Sequence, residues 1–388
     1  MLVNDILKAA CERRASDIHL KVGSHPVVRV DGKLQPMVDM KRLQQEDTIA
    51  AAFAIMSSRQ KEKFKDNLEI DIAYSVPGLG RFRANVFQQR GTVGLVLRVI
   101  PVKVLNFEEL LLPPVMEQVC DETRGLILCT GSTGSGKSTT LAAMIEHVNS
   151  TRTAHVITIE DPIEVLHRDK KALINQREVE VDTRSFSTAL RSALRQDPDV
   201  IHVGELPDLA TVEVALAAAE TGHLVMSTMH TMDATETVAR LIGVFPPQQQ
   251  KQVRLQLAST IKAVISLRLL PRRDGKGRVP AIEILRSTPY IRECIENAEK
   301  TRLLPEAIAA GGQHGMQTFD QSIFDLTRRG LVSKEEALRR AVAPDELKLR
   351  LGGMPPAAAA GAEETPPRPS GRPAPADPAD DVDLGNNY

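Results

Sequence analysis

Two hydrophobic rhythms run along the chain, and the change between them falls near residue 104. In the first stretch Leu2, Ile6, Leu7 and Ala10 recur at helical spacing, which predicts a helix over residues 1–15. Ser16-Asp17-Ile18-His19-Leu20 begins a strand, and Val27-Val28-Arg29-Val30 with Lys33-Leu34 reads as a hairpin closed by the turn pair Asp31-Gly32. Residues 45–66 carry a helical pattern, and their charged end, Lys61-Glu62-Lys63-Phe64-Lys65, reads as a solvated face. Leu68 to Val76 and Arg81 to Gln89 alternate with period two across Pro77-Gly78-Leu79-Gly80, and Phe82, Ala84 and Val86 share one side. Gly94 to Ile100 adds a further strand. Segregated strands and helices of this kind predict an α+β unit of about a hundred residues.

After Pro101-Val102-Lys103-Val104-Leu105 the rhythm becomes continuous apolar runs alternating with helical stretches, the pattern of an α/β unit with a mainly parallel sheet. Strands are expected at 126–130, 155–160, 199–203 and 223–229. An Ala-rich helix from Asp208 to Glu220 stops at Gly222. Residues 264–285 read as a hairpin turning at 272–277, and the remainder to Leu349 as helical, with Ser333-Lys334-Glu335-Glu336 opening one helix as a capping box. From residue 351 Pro, Ala, Gly and Asp replace core-forming side chains, so order is expected to cease. The expected organisation is an N-terminal unit over 1–103, a second over 104–350 and a tail over 351–388.

Within the second rhythm lies Gly131-Ser132-Thr133-Gly134-Ser135-Gly136-Lys137-Ser138-Thr139-Thr140, which fits the phosphate-binding pattern Gly-x-x-x-x-Gly-Lys-Ser. Leu126 to Thr130 before it reads as a buried strand and Leu141 to Ile145 after it as a helix. Glycines let successive N–H groups curl around phosphate oxygens, and the helix start adds its positive dipole end. Lys137 then reaches the outer phosphates, and the Ser138 hydroxyl faces Mg²⁺, the metal role assigned to it here. The expected ligands are therefore ATP and Mg²⁺, held by residues 132–139.

Hydrolysis needs a group to position water. Asp197-Pro198-Asp199-Val200-Ile201-His202-Val203-Gly204-Glu205 is an apolar strand ending in an acid. Ligands in such sheets bind beyond the carboxyl ends of strands, so Glu205 is the candidate catalytic carboxylate. Glu160, Asp161 and Glu164 form a second acidic cluster after another strand. No arginine close to these motifs in sequence offers itself to the γ-phosphate.

Composition narrows the function classes. Net charge is -1 and aromatic residues make up 3%, which disfavours nucleic acid as a partner. No apolar run approaches a membrane span, and Met1-Leu2-Val3-Asn4-Asp5 lacks the basic start of a signal peptide, so the chain is expected in the cytoplasm. Cys11, Cys120, Cys129 and Cys294 show no C-x-x-C pair and read as inert thiols.

The loop with Leu141-Ala142-Ala143, then Ile159 to Glu164, Arg195-Gln196-Asp197-Pro198-Asp199, Thr221-Gly222-His223-Leu224 and Thr228-Met229-His230-Thr231, resembles the secretion ATPases, the hexameric motors of type II secretion and type IV pilus systems. Ser16 to Leu20, Arg81-Phe82-Arg83 and Gly315-Met316-Gln317-Thr318-Phe319-Asp320 are similar to the pilus-retraction branch. The resemblance spans residues 1–350. It implies a PAS-like N-terminal domain, a RecA-like ATPase domain and a homo-hexamer. It also implies docking on the inner-membrane platform protein of the pilus, alongside other pilus ATPases. By resemblance Gly131 to Ser138 is the Walker A loop and Glu205 the Walker B glutamate. Glu160, Asp161 and Glu164 match the Asp box, and His223 and His230 the His box. Arg83 and Arg98, with Arg81 as a third candidate, would approach a neighbouring subunit's phosphates, whereas the strand pattern alone reads them as an outward face.

Three places depart from the pattern. Leu206-Pro207-Asp208 follows Glu205 where the family usually has Met or Leu, Arg and Asp, and Pro207 reads as the first residue of the next helix. Ala239 precedes Arg240 where retraction motors often have Asp. Tyr290-Ile291-Arg292-Glu293-Cys294 matches the family's Ala-Ile-Arg motif only in part. These departures leave room for a hydrolysis-poor accessory subunit. A pilus-extension or secretion motor is a further rival, usually marked by a longer N-terminal part and a four-cysteine loop.

Overall fold

The computed structural model describes residues 3–30, 32–100 and 104–353. The tail expected to lack order therefore lies, from residue 354 on, outside the described residues, as do Asp31 of the hairpin turn and the junction 101–103.

Two sheets organise the chain. The first contains β1 (Asp17–Leu20), β2 (Val27–Val30), β3 (Lys33–Pro36), β4 (Glu69–Val76), β5 (Gly80–Gln89) and β6 (Thr92–Ile100) in the order β3-β2-β1-β6-β5-β4, with every neighbouring pair antiparallel. Period-two alternation works as the sequence implies. Phe82, Ala84 and Val86 are buried against the helix Val3–Glu12, while Arg81 and Arg83 turn to the other face. The helical stretch 45–66 is two helices, Gln45–Ile55 and Ser58–Asn67. Extended backbone at Met56 and Ser57 breaks it, and Ser57 starts the second helix with a reciprocal capping box to Gln60.

The second sheet is mixed. It contains β7 (Gly125–Thr130), β8 (His155–Glu160), β9 (Leu173–Glu178), β10 (Val200–Val203), β11 (Leu224–Met229), β12 (Ile261–Pro271) and β13 (Arg278–Arg286), in the order β13-β12-β7-β11-β10-β8-β9. All neighbours are parallel except the β12–β13 hairpin. Helices cover both faces, so the central strands are apolar on both sides and the chain is an α/β protein. Strand β9 was not expected. Leu173-Ile174-Asn175-Gln176-Arg177-Glu178 is an edge strand with exposed and polar positions, and it lacks the apolar run that marks the central strands.

Two local readings need correction. Pro207 is not the first helical residue; Asp208 caps the helix Leu209–Glu220 by accepting from the Thr211 N–H at 2.8 Å, so Pro207 precedes the cap. Ser333 accepts from the Glu336 N–H at 3.2 Å, but the reciprocal half of the box is missing because the Glu336 carboxylate pairs with Arg339 and Arg340.

Candidate active site

β7 is buried along its whole length and runs straight into the glycine loop. The helix Lys137–Thr151 starts at once, with Gly136 as its cap. Gly131 has φ +139°, and a Cβ built there would lie 2.5 Å from Ser135 Oγ and 2.6 Å from the Leu267 carbonyl oxygen, so only glycine lets the loop fold this tightly. The first N–H groups of the helix have no preceding carbonyl to bond, and they open into a cavity of about 580 Å³ lined by Thr133, Gly134, Gly136, Lys137, Ser138 and Thr139. Lys137 folds back, donating from Nζ to the Gly131 and Ser132 carbonyls at 2.9 and 3.0 Å. Burial holds its ammonium below the ordinary value, while Glu164 and Cys129 act in the opposite direction. A buried cation parked on loop carbonyls, beside free N–H groups and an open hydroxyl on Ser138, fits a bound polyphosphate with its Mg²⁺. Ser132 and Ser135 do not line the cavity with their side chains. Ser135 is buried against Gly131.

The carboxyl ends of β8, β10 and β11 deliver the acids and one histidine to the same cavity. Glu160, Asp161, Glu164, Glu205 and His230 all line it. Glu160 is buried and held from three sides. It accepts from Thr158 Oγ1 at 2.6 Å and Gln176 Nε2 at 3.2 Å through one oxygen, and from the Glu164 N–H at 3.4 Å through the other. Thr228 donates to the Gly204 carbonyl at 2.6 Å, which fixes the backbone just before Glu205.

His223 does not join them. It precedes β11, at the opposite end from His230, and its ring Nδ1 lies 3.1 Å from the Ala218 carbonyl oxygen. A strand of this length separates the two histidines by roughly 20 Å. The two histidines therefore stand at opposite ends of β11. Among the described residues no cluster of three or more His, Cys, Asp or Glu could hold a metal ion by itself. Burial pushes the Cys129 thiol up to about 12, and Cys120 is likewise raised, in line with inert thiols.

The arginines divide. Arg98 lines the cavity of its own chain, and its Nε donates to Asp17 at 2.9 Å. Arg83 lies outside that cavity, along a cleft of about 880 Å³ between the two sheets, with Asp71 4.0 Å away. Arg81 pairs with Glu178 of the same chain at 2.6 Å. Arg278 was missed altogether, and it lines the cavity with Leu269. It sits far from the glycine loop in sequence. Only the β13-β12-β7 order, in which Ser266 of β12 stands beside Thr130, carries the hairpin to the loop. His202 was also missed. Among the described residues neither ring nitrogen has a hydrogen-bond partner, and burial holds the ring below its ordinary pKa against the pull of Glu160. An inward-facing histidine within an apolar strand gives no periodicity signal.

Residues 1–339 match the family described as type II/IV secretion system protein. A Pseudomonas aeruginosa protein named "Type IV pilus retractation ATPase PilT" is 46% identical over 345 residues, covering 89% of this chain and 99% of that one. A second protein of the same organism, named "Type IV pilus ATPase PilU", is 39% identical over 346 residues, covering 89% of this chain and 90% of that one. A crystal structure described as the pilus retraction motor PilT with bound ADP superposes with a TM-score of 0.83 at 46% identity, covering 90% of this chain and 99% of the other.

Proposed function

The chain belongs to the type II/IV secretion system protein family, and from that membership we propose that it is a motor that hydrolyses ATP to drive retraction of a type IV pilus. One observation carries the reading: the glycine loop, Glu205 and the acids Glu160, Asp161 and Glu164 converge on one cavity. The similarity to a protein named as a retraction ATPase supports the direction of the work. In this reading residues 1–103 form a PAS-like domain and 104–350 a RecA-like ATPase domain. Six copies make a ring in the cytoplasm, docked on the inner-membrane platform of the pilus.

The residues divide the reaction among themselves. The N–H groups at the start of the helix Lys137–Thr151 cradle the phosphates, and Lys137 leaves its carbonyl partners to meet the outer phosphate oxygens. Ser138 contributes its hydroxyl to Mg²⁺, which when bound neutralises charge developing on the transferred phosphoryl group. Glu205 orients water for in-line attack and draws its proton. Glu160, fixed by Thr158 and Gln176, holds the acidic loop in place beside it.

Steady-state ATPase measurement together with a deletion strain tests the proposal. Retraction predicts surface pili without twitching movement; loss of surface pili would instead assign the chain to extension. A second reading has a specific observation behind it. Pro207 stands two residues after Glu205, where the resemblance implies that the family usually has an arginine, and the chain is also similar to the protein named PilU. A purified chain that binds nucleotide but turns it over negligibly would favour an accessory subunit.

A further inference from the structure

A buried ion pair that ends on the acidic loop joins the two sheets. Arg81 of β5 donates from Nη2 to Glu178 Oε2 at 2.6 Å. Glu178 is the last residue of β9 and is 4% exposed. The same oxygen accepts the backbone N–H of Ile163 at 3.1 Å. Ile163 lies between Asp161 and Glu164, both of which line the nucleotide cavity. Two residues before Glu178 on β9, Gln176 donates to Glu160 at 3.2 Å and to the Val165 carbonyl at 2.9 Å, and its Oε1 accepts the His167 N–H at 2.9 Å. Strand β9 therefore holds segment 160–167 at several points. Of these, the Glu178 contact to Ile163 is shared with the first sheet.

We propose that Arg81 and Glu178 are a positioning pair that couples the orientation of the first sheet to the carboxylates of the ATP site. This rests on the motor reading above and extends it, because it gives the chain a physical route from domain movement to catalysis. A carboxylate this buried needs its charge met. Without Arg81 it keeps the Ile163 N–H, but its buried charge is no longer balanced by the guanidinium, so the side chain turns toward solvent. That response loosens the hold on Ile163 and lets Asp161 and Glu164 move relative to Lys137. Arg81 is also two residues from Arg83 on the same strand face, so the pair fixes where the arginine-bearing face stands. The exposed Lys63–Glu180 pair, 3.7 Å apart beside it, adds little by comparison.

The test uses the full chain with Arg81→Gln, Glu178→Gln and the double variant. MgATP turnover is followed together with amide hydrogen exchange. Each single change should lower kcat about tenfold while leaving KM nearly unchanged, since the phosphate cradle is untouched. The double variant should be no worse than either single, because both act through one contact. Exchange should quicken across 161–167 in all three and stay unchanged in the helix Lys137–Thr151. Additive losses, an unchanged kcat, or protected amides at 161–167 would each overturn the coupling. Should Arg81→Gln fail to fold, Arg81→Lys keeps the charge and loses the planar fork, and it should show the same pattern more weakly. The exchange measurement reads the pair whether or not the wild-type chain hydrolyses ATP, which separates failure of this inference from failure of the motor reading.

Discussion

Arg83 of β5 and Arg98 of β6 stand directly opposite each other in the antiparallel register, on the outward face of the first sheet. Like charges so placed repel. The next register position inward is Asp17 on β1, opposite Arg98, and beyond it comes Arg29 on β2. Asp17 accepts from Arg98 Nε at 2.9 Å and lies 3.8 Å from Arg29. One largely buried carboxylate thus serves two arginines of a row of three, while among the described residues Arg83 has only an exposed Asp71 at 4.0 Å. A row with surplus positive charge is suited to a mobile anion.

Lys137→Ala should abolish turnover. The side chain is a buried cation with two loop carbonyls as its resting partners, and losing a charge that meets the transferred phosphate costs about 3 kcal/mol or more in the transition state. Phosphate-release assays should give less than about a hundredth of the wild-type rate. Turnover within about tenfold of wild type would mean another group clamps the phosphates.

Gly131→Ala should disrupt the loop far more than Gly134→Ala. At Gly131 the new methyl meets Ser135 Oγ at 2.5 Å and the Leu267 carbonyl at 2.6 Å, and that carbonyl belongs to β12 and cannot step aside. At Gly134 nothing lies within 4 Å and only the φ of +76° opposes the change. Thermal denaturation should show a loss of about 2–4 kcal/mol for the first and about 1 kcal/mol for the second. Equal losses would mean that strain alone, not the contact with β12, sets the requirement.

These features differ in how well the sequence announces them. The glycine loop, Glu205 and the acidic trio are contiguous or end an apolar strand, so spacing alone places them at the carboxyl edge of the sheet. Arg278, His202 and Glu178 are another matter. Arg278 reaches the cavity because β12 pairs with β7, a long-range choice that no local pattern encodes. Glu178 ends an edge strand too polar to register as one. His223 matches a motif too, and β11 takes up the residues between it and His230, which sets the two at opposite ends of the strand.

Stability should depend on pH through Glu283. This residue of β13 is buried and accepts the Ala234 N–H at 2.8 Å, at the start of the helix that follows His230. Burial, against the Ala234 N–H, pushes its carboxyl up to about 7 from an ordinary 4.5. Between those values the folded chain holds a proton that the unfolded chain has released. Stability contributed at this site therefore falls as pH rises from about 4.5 through about 7. Glu283→Gln keeps the acceptor and cannot ionise. It should flatten that slope and be the more stable form above pH 7 by a few kcal/mol, at about 1.4 kcal/mol per pKa unit. Urea midpoints compared at acid and alkaline pH check this, and an unchanged slope would show that Glu283 ionises freely.

The arginine row makes a last prediction about whose phosphates it serves. Arg98 lines its own chain's cavity, whereas Arg83 lines the cleft between the sheets. If six chains form a ring, that face meets a neighbour, and an arginine supplied across such a boundary can be worth about 10³–10⁵ in rate. Arg83→Ala should then bind ATP normally and lose most turnover, as should Glu205→Ala for a different reason. Mixed rings of these two inactive chains contain some boundaries that join an intact Glu205 to an intact Arg83, so mixing should restore part of the activity. The mass of the mixed assembly first verifies that subunits exchange. With exchange established, mixtures as inactive as either parent would place the action of Arg83 within its own chain, and the surplus charge of the row would have to be explained by Arg98 acting on its own cavity alone.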